Sequence, residues 1–218
     1  MGSSNGDGTT RAGPSHWDAI YRENADEELS WTQSHPDLSL RLVEEFARRT
    51  DRILDVGGGS SKLARHLVQE GFSRVAVLDV SSAALERNLA SAGSVGKGIE
   101  YIPGDVLGGT DLGRVDVWHD RALLHFLIEE PERRRYVERL RAALADGGVV
   151  ILAAFSLQGP ERCSGLPVRR YSEPMFRDLL GPEFEHHRTV LETHRTPWGV
   201  EQPFIYTVFT RGKPRPPG

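Results

Sequence analysis

The segment Asp51-Arg-Ile-Leu-Asp-Val-Gly-Gly-Gly59 joins a short apolar run to three consecutive glycines. A short apolar run bounded by turn residues is typical of a buried strand, and glycines allow the backbone to bend sharply after it. Residues 61–70 follow with apolar side chains at helical spacing, and Gly71 is a helix stop signal. The segment therefore predicts a strand, a tight turn and a helix.

The alternation of strands and helices continues along the chain. Further strand patterns cover residues 74–80, 99–102, 115–118 and 149–155, and helical patterns begin after Pro36 and cover residues 81–89, 121–128 and 132–144. Alternation of this kind predicts a parallel α/β sheet with helices on both faces. Near the end, residues 184–193 and 203–209 form two strand patterns separated by the turn 196–199, which predicts an antiparallel hairpin.

Composition and charge limit the class of protein. The chain has 218 residues, a formal net charge of −4 and scattered basic residues, so nothing in it favours a nucleic-acid partner. It contains no apolar run of the ~20 residues that cross a bilayer. Cys163 is the single cysteine, which excludes an intrachain disulfide and favours a cytoplasmic location. No Cys/His cluster has metal-ligand spacing, so no metal is predicted.

The length fits one domain, with polar ends. Residues 1–14 are rich in Gly, Ser and Thr and are predicted to be a flexible leader, and residues 213–218 a loose tail. Residues 15–212 are predicted to form the domain, in which residues 15–48 supply helices that cover the site.

Carboxylates follow the predicted strands at the positions where an open α/β sheet binds ligands. Asp79 ends the second strand, where a carboxylate accepts hydrogen bonds from the two ribose hydroxyls of a nucleoside. Asp105 comes just after the third strand, within reach of the exocyclic amine of an adenine. A glycine-rich turn alone is a weak signal, but two acidic residues in register with it favour a nucleoside-containing ligand.

The motifs together resemble the class I S-adenosylmethionine-dependent methyltransferases, a likeness that extends over roughly residues 50–156. Its pieces are Ile53-Leu-Asp-Val-Gly-Gly-Gly59, Val77-Leu-Asp-Val-Ser81, Gly104-Asp105-Val106 and Leu144-Ala-Asp-Gly-Gly-Val-Val-Ile-Leu152. The resemblance implies a Rossmann-like, seven-stranded, mostly parallel sheet whose last strand is antiparallel. It also implies S-adenosylmethionine as the cofactor.

The resemblance assigns cofactor contacts along the strand ends. Asp55 and the glycines Gly57, Gly58 and Gly59 would line the methionine part, Asp79 would hold the ribose, and Asp105 with Val106 the adenine; Trp31, Val80 and His119 complete the predicted set. The family turn G-x-G-x-G lacks its last glycine here, where Ser61 stands. We expect an altered turn with binding retained. A nicotinamide-dependent dehydrogenase, the main rival, needs a third glycine at the helix start and fits worse.

The end of the fourth strand is the expected place of chemistry. His119, Asp120, Arg121 and His125 crowd there, and in related methyltransferases this segment faces the transferring methyl group. Asp120, His119 and His125 are therefore the predicted catalytic residues. The alternative is that Asp120 caps the following helix while Arg121 pairs with a nearby carboxylate.

Aromatic residues and two loops are predicted to shape the acceptor pocket. Residues 27–33 look like the segment that covers the methionine end in small methyltransferases, among them thiopurine and lysine-directed enzymes. The predicted substrate-binding residues are Trp17, Tyr21, Arg121, Cys163 and Trp198. The alternative is that the amino-terminal aromatics only pack their helix onto the domain.

The compact chain and its aromatic residues favour methylation of an O, N or S atom of a small-molecule acceptor. A protein lysine is the alternative acceptor, because the layout also resembles the elongation-factor lysine methyltransferases. The Asn/Asp-x-x-Tyr/Phe motif of that family is replaced here by His119-Asp-Arg-Ala122. A non-enzymatic cofactor-binding module is a third hypothesis. The sequence leaves the oligomeric state open.

Overall fold

A computed structural model describes residues 11–212. Six α-helices occur in this part of the chain: α1 (Pro14–Glu23), α2 (Asp37–Phe46), α3 (Leu63–Gln69), α4 (Ser82–Ala92), α5 (Glu130–Ala143) and α6 (Glu173–Leu180). Its strands are β1 (Arg52–Val56), β2 (Arg74–Asp79), β3 (Ile99–Pro103), β4 (Val115–Arg121), β5 (Leu144–Phe155), β6 (Arg162–Cys163), β7 (Leu166–Pro167), β8 (Phe184–Arg195) and β9 (Glu201–Arg211). Short 3-10 helices cover Asp26–Glu28, Gly93–Gly98 and Leu124–Phe126.

The main sheet has seven strands in the order β3-β2-β1-β4-β5-β9-β8. The strands from β3 to β5 pair in parallel, whereas β9 pairs antiparallel with both β5 and β8. The predicted α/β class, the mostly parallel sheet and the antiparallel carboxyl-terminal hairpin are confirmed. Strand order reverses between β1 and β4, and in such sheets ligands bind beyond the carboxyl ends of the strands at this point.

The central strands are buried on both faces, as expected for parallel strands covered by helices. Successive side chains of a strand point to opposite faces, so β4 sends Trp118 into one apolar cluster and Val117 into the other. The first cluster includes Tyr136 and Leu140 of α5, and the second includes Leu42 and Val43 of α2. This double burial holds the strand ends in fixed positions around the reversal point.

Two local predictions are corrected. The helix expected over residues 121–128 is replaced by a longer β4 and the 3-10 helix Leu124–Phe126, because Arg121 still pairs with Ala153 of β5 and Ala122 takes a left-handed φ of 72°. The predicted leader ended at residue 14. Residues 1–10 and 213–218, which carry most of the predicted leader and tail, lie outside the described residues, but Arg11 makes ion pairs with the domain and Pro14 begins α1.

None of the helices within residues 11–212 is long and apolar enough to cross a membrane.

Candidate functional site

A cleft with about 990 Å³ of empty space, part of it open to solvent, lies at the carboxyl ends of β1, β2 and β4. Residues from the cofactor-type motifs line one end, namely Gly57, Leu78, Asp79, Val80, Gly104, Asp105 and Val106. The other end is lined by Trp17, Trp31, Arg121, Phe126, Cys163, Leu166 and Pro167. We call these the nucleoside end and the aromatic end of the cleft.

Glycine is required at the turn after β1. The Gly57 amide donates to the Leu78 carbonyl oxygen at 2.7 Å, which ties the turn to β2. Gly59 has a φ of 51°, and a Cβ at this position would lie 2.2 Å from the Tyr21 hydroxyl. Both the backbone conformation and the close approach of α1 therefore strongly favour glycine here.

Asp79 lies on the floor of the nucleoside end. Its Oδ1 accepts a hydrogen bond from the Ser81 amide at 2.8 Å, and its Oδ2 accepts one from the Gly59 amide at 2.9 Å. Each carboxylate oxygen can accept more than one bond, so both retain capacity for a ligand's hydroxyl groups. Burial raises the pKa of Asp79 to about 6 despite these hydrogen bonds.

Asp105 marks the far side of the nucleoside end. Its Oδ1 accepts a hydrogen bond from the Leu107 amide at 2.9 Å, and its carboxylate also pairs with the Arg11 guanidinium. Arg11 pairs with Glu132 of α5 as well, at 3.4 Å. Sequence reasoning missed Arg11, because its polar, glycine-rich surroundings carry no helix or strand pattern.

The aromatic end is built by residues distant in sequence. The Trp17 ring lies 5.1 Å from the Phe126 ring and 6.2 Å from the Trp31 ring, both in edge-to-face arrangements. Tyr21 is buried and its ring lies 6.1 Å from that of Trp31. Trp17 and Tyr21, which are predicted substrate contacts, and Trp31, which is a predicted cofactor contact, all line the main cleft. Phe126 was not among the predicted contacts, although it follows His125 directly.

A smaller cleft borders the first and shares Gly57, Trp31 and Arg121 with it. Asp55 and His119 line this smaller cleft, and His119 Nδ1 lies 2.7 Å from Asp55 Oδ1. His119 Nε2 contacts the Ser39 hydroxyl at 2.9 Å, so both ring nitrogens are engaged. Asp55 Oδ2 is buried and has no hydrogen-bond partner. A buried acceptor of this kind is costly unless a ligand donor reaches it.

Asp120 does not reach the cleft, which corrects its prediction as a catalytic residue. Its side chain is fully buried; Oδ1 accepts hydrogen bonds from the amides of Leu123 and Leu124, and Oδ2 accepts one from the Tyr136 hydroxyl at 2.6 Å. Asp120 therefore stabilises the start of the 3-10 helix, which is the alternative that the sequence left open. Burial raises its pKa to about 6.

His125 and Trp198 also depart from their predicted positions. His125 is fully buried against Phe126 and Phe155 and does not line the cleft. Burial, with a contribution from the Arg121 charge, lowers its pKa to about 3, so the ring is neutral. Trp198 is exposed at the tip of the β8–β9 hairpin and lines neither the main cleft nor the smaller one. A substrate contact for Trp198 is therefore wrong for this conformation.

Cys163, a predicted substrate contact, lines the aromatic end from the short β6–β7 hairpin. Burial raises the pKa of its thiol, which keeps the sulfur protonated and weakly nucleophilic. Within residues 11–212 no group of three or more His, Cys, Asp or Glu side chains is arranged to hold a metal ion.

Comparisons with known proteins agree with this geometry. Residues 54–150 match the family model described as a methyltransferase domain. The ribosomal protein L11 methyltransferase of Exiguobacterium sp. (strain ATCC BAA-1283 / AT1b) is 32% identical over 84 residues, a match that covers 37% of this chain and 27% of that protein. The chain thus matches about a quarter of this relative's length.

Solved structures share the fold at low sequence identity. The N-methyltransferase NodS from Bradyrhizobium japonicum WM9, in complex with S-adenosylhomocysteine, superposes with a TM-score of 0.71 at 14% identity, over 93% of this chain and all of the other. The 1,6-didemethyltoxoflavin-N1-methyltransferase of Burkholderia thailandensis gives 0.66 at 18% identity, over 92% and 84%. A structure from work on converting a disulfide bond into a thioacetal group during echinomycin biosynthesis gives 0.72 at 21%, over 91% and 93%.

The strand order, the glycine turn and the family match together define the class. Residues 54–150 match a methyltransferase domain, and the chain has the fold of the class I S-adenosylmethionine-dependent methyltransferases, whose cofactor is S-adenosylmethionine. The residues of the two clefts fit this cofactor. Asp79 has acceptor capacity for ribose hydroxyls, and the unpartnered Asp55 Oδ2 suits the ammonium group of the methionine part.

Proposed function

We propose that this protein transfers a methyl group to an O, N or S atom of a small-molecule acceptor. The observation that carries the proposal is the cleft itself, which runs from carboxylates at the nucleoside end to an apolar, aromatic end without a break. S-adenosylmethionine, when bound, supplies a methyl group that its sulfonium already activates. The work left to the protein is to hold an acceptor atom in line with that methyl group.

The proposed cofactor contacts follow the strand ends. Asp79 and Val80 would hold the ribose, Asp105 and Val106 the adenine, and Asp55 the amino group. Gly57 and Gly58 line the clefts and would let the backbone approach the cofactor closely, whereas Gly59 faces the Tyr21 hydroxyl and would serve the turn itself. Trp31 would cover the cofactor, because it lines both clefts.

The proposed acceptor contacts are Trp17, Tyr21, Arg121 and Cys163. Positioning rather than proton abstraction carries the chemistry in this proposal, because Asp120 and His125 are enclosed away from the cleft. His119 acts as a positioning residue that fixes the Asp55 carboxylate. An acceptor that must lose a proton can release it to water through the open side of the cleft.

Two experiments test this proposal. Calorimetry should show binding of S-adenosylmethionine and S-adenosylhomocysteine and no binding of NAD or NADP, and the bound ligand should raise the melting temperature. Tight NAD binding would contradict the proposal. Methyl-labelled S-adenosylmethionine is then incubated with metabolite extract and with lysate protein. Label in small molecules supports the proposal, label in a protein band favours the lysine alternative, and binding without any transfer favours a non-enzymatic module.

A further inference from the structure

Arg121, the last residue of β4, is held rigidly beside the aromatic end of the cleft. Its Nε donates to the Tyr206 hydroxyl at 2.9 Å, and its Nη1 donates to the Trp31 carbonyl oxygen at 3.0 Å. The guanidinium also lies over the Phe204 ring, with Cζ 4.5 Å from the ring centre. These contacts fix the plane of the guanidinium before any ligand arrives.

The charge of Arg121 has no counter-ion in the described part of the chain. Its Nη2 is buried and has no hydrogen-bond partner, and none of the ion pairs within residues 11–212 involves this side chain. Glu192, an acidic neighbour of Tyr206, also has a buried oxygen without a hydrogen-bond partner, Oε2, but it makes no ion pair with Arg121 and lines a third cleft beside Thr193 and His194. Burying a cation without a partner is costly, so such a group points to an anionic ligand.

On the side of the aromatic end the groups around Arg121 are uncharged, whereas the smaller cleft, which Arg121 also lines, holds Asp55 and Lys62. Burial, together with the nearby Arg121 charge, lowers the pKa of both His125 and His194, which keeps these rings neutral at pH 7. The Cys163 thiol is protonated there as well. The walls beyond are apolar and include Trp17, Phe126, Leu166 and Pro167. The aromatic end therefore offers one positive charge at the edge of an apolar pocket.

We propose that Arg121 binds an anionic oxygen of the methyl acceptor, so that the acceptor is an apolar or aromatic molecule carrying an acidic group, first of all a carboxylate. Guanidinium is the side chain best suited to such a group, because its charge is permanent and its donors are planar. The inference rests on the proposed function, since it takes the aromatic end to be the acceptor site. The carboxylate of the cofactor is the competing anion, because Arg121 also lines the smaller cleft with Asp55; that cleft contains a second cation, Lys62, which can serve the cofactor carboxylate.

The test compares acids with their neutral counterparts on the full chain saturated with S-adenosylhomocysteine. The probes are indole-3-acetate with indole-3-acetamide, naphthalene-2-carboxylate with naphthalene-2-carboxamide, and phenyl phosphate. Dissociation constants are measured by ligand-observed NMR for the wild type, Arg121→Gln and Arg121→Lys. Arg134→Gln, which removes an exposed arginine from α5, is the matched control. Melting temperatures verify that each variant is folded.

The wild type and Arg134→Gln should bind the acids about tenfold more tightly than the amides, and Arg121→Gln should reduce this ratio below about twofold. Arg121→Lys should keep part of the preference for acids, because lysine retains the positive charge but lacks the planar pair of N–H donors of the guanidinium group. An Arg121-dependent preference for phenyl phosphate over the carboxylates supports the same site with phosphate as the acidic group. An equal loss of acid and amide binding in Arg121→Gln would mean that Arg121 serves only to hold Trp31 in place through its hydrogen bond to the Trp31 carbonyl oxygen. That result would overturn the proposal.

Further measurements distinguish the acceptor role of Arg121 from a role in binding the cofactor carboxylate, and from a failure of the proposed function. Absence of acid-selective binding by the wild type at millimolar concentrations also overturns the proposal. Arg121→Gln is titrated with S-adenosylhomocysteine and with 5′-methylthioadenosine, which lacks the amino-acid part. Loss of affinity confined to the first ligand would assign Arg121 to the cofactor carboxylate and overturn the acceptor role. Failure of the wild type to bind S-adenosylhomocysteine would instead contradict the proposed function.

Discussion

The ends of β2 and β4 both carry polar residues toward the strand-order reversal, yet they use them differently. At the end of β2, Asp79 faces the cleft and keeps acceptor capacity for a ligand. At the end of β4, His119 and Asp120 bond to partners inside the protein, and Arg121 alone of this group lines the main cleft. A polar cluster at a strand end therefore marks a site, whereas the partners of each side chain decide its role.

The largest expected effect is at the β2 end. Asp79→Ala should weaken S-adenosylhomocysteine binding at least a hundredfold, because it removes a charged acceptor of two hydroxyl groups, worth about 1.5–3 kcal/mol each. Calorimetry measures the change, with the exposed Asp178→Ala on α6 as a control. Affinity within about threefold of wild type would remove the ribose role of Asp79.

At the β4 end, substitution should alter stability instead of binding. Asp120→Ala removes the acceptor of the Leu123 and Leu124 amides and leaves the Tyr136 hydroxyl unpaired, at a cost of about 2–3 kcal/mol. Urea unfolding should show this loss, while S-adenosylhomocysteine affinity at permissive temperature stays near that of wild type. A folded variant with normal stability and lost turnover would restore Asp120 as a catalytic candidate.

The pH dependence of cofactor binding distinguishes the two carboxylates, although burial raises the pKa of both to about 6. Ribose hydroxyls bind the ionised form of Asp79 preferentially, so affinity should be full above pH 7 and fall about tenfold by pH 5. Titrations across this range should show the decline in the wild type and in Asp120→Asn. Asp79→Asn should give a flat profile; a decline that survives this change must come from another group.

The smallest expected effect is at Asp105. Asp105→Ala should weaken S-adenosylhomocysteine binding by about threefold to tenfold, since this half-exposed carboxylate offers a single bond to an adenine amine and already pairs with Arg11. The same calorimetric series gives the value. A loss equal to that of Asp79→Ala would show that the adenine contact matters as much as the ribose contact.

That Gly57, Asp79 and Asp105 lie at one cleft could be predicted from the sequence, because the signals for these positions are local. Gly57 to Gly59 and Asp79 follow directly from one strand each, and neighbouring parallel strands bring their ends together. The side-chain directions at the end of β4 could not be predicted, because the sequence pattern indicated a helix beginning at Arg121, whereas the strand includes this residue. Strand alternation places Asp120 on the Trp118 side, against Tyr136, and Arg121 on the other.

Long-range placement explains the remaining errors. The β8–β9 hairpin continues past the level of Phe155, where Glu192 pairs with Phe204, up to the Arg195–Glu201 pair. Trp198, at the tip of this hairpin, therefore lies beyond the end of β5. How far beyond depends on the lengths of β8 and β9, which the sequence pattern around Trp198 does not indicate. Arg11 reaches Asp105 across 94 residues of sequence, and no local pattern indicates such a contact.

The division of the cleft between chain segments has a consequence for how such a protein can change over evolutionary time. The nucleoside end is built from residues 57–106, inside the region that matches the family, whereas Trp17, Trp31 and Cys163 at the aromatic end lie outside that region. Substitutions at separated sites without shared partners combine almost additively. Under the proposed function, replacement of the β6–β7 hairpin is expected to redirect acceptor choice with the cofactor contacts kept, whereas α1 also packs Tyr21 against Gly59 and is tied to both ends of the cleft.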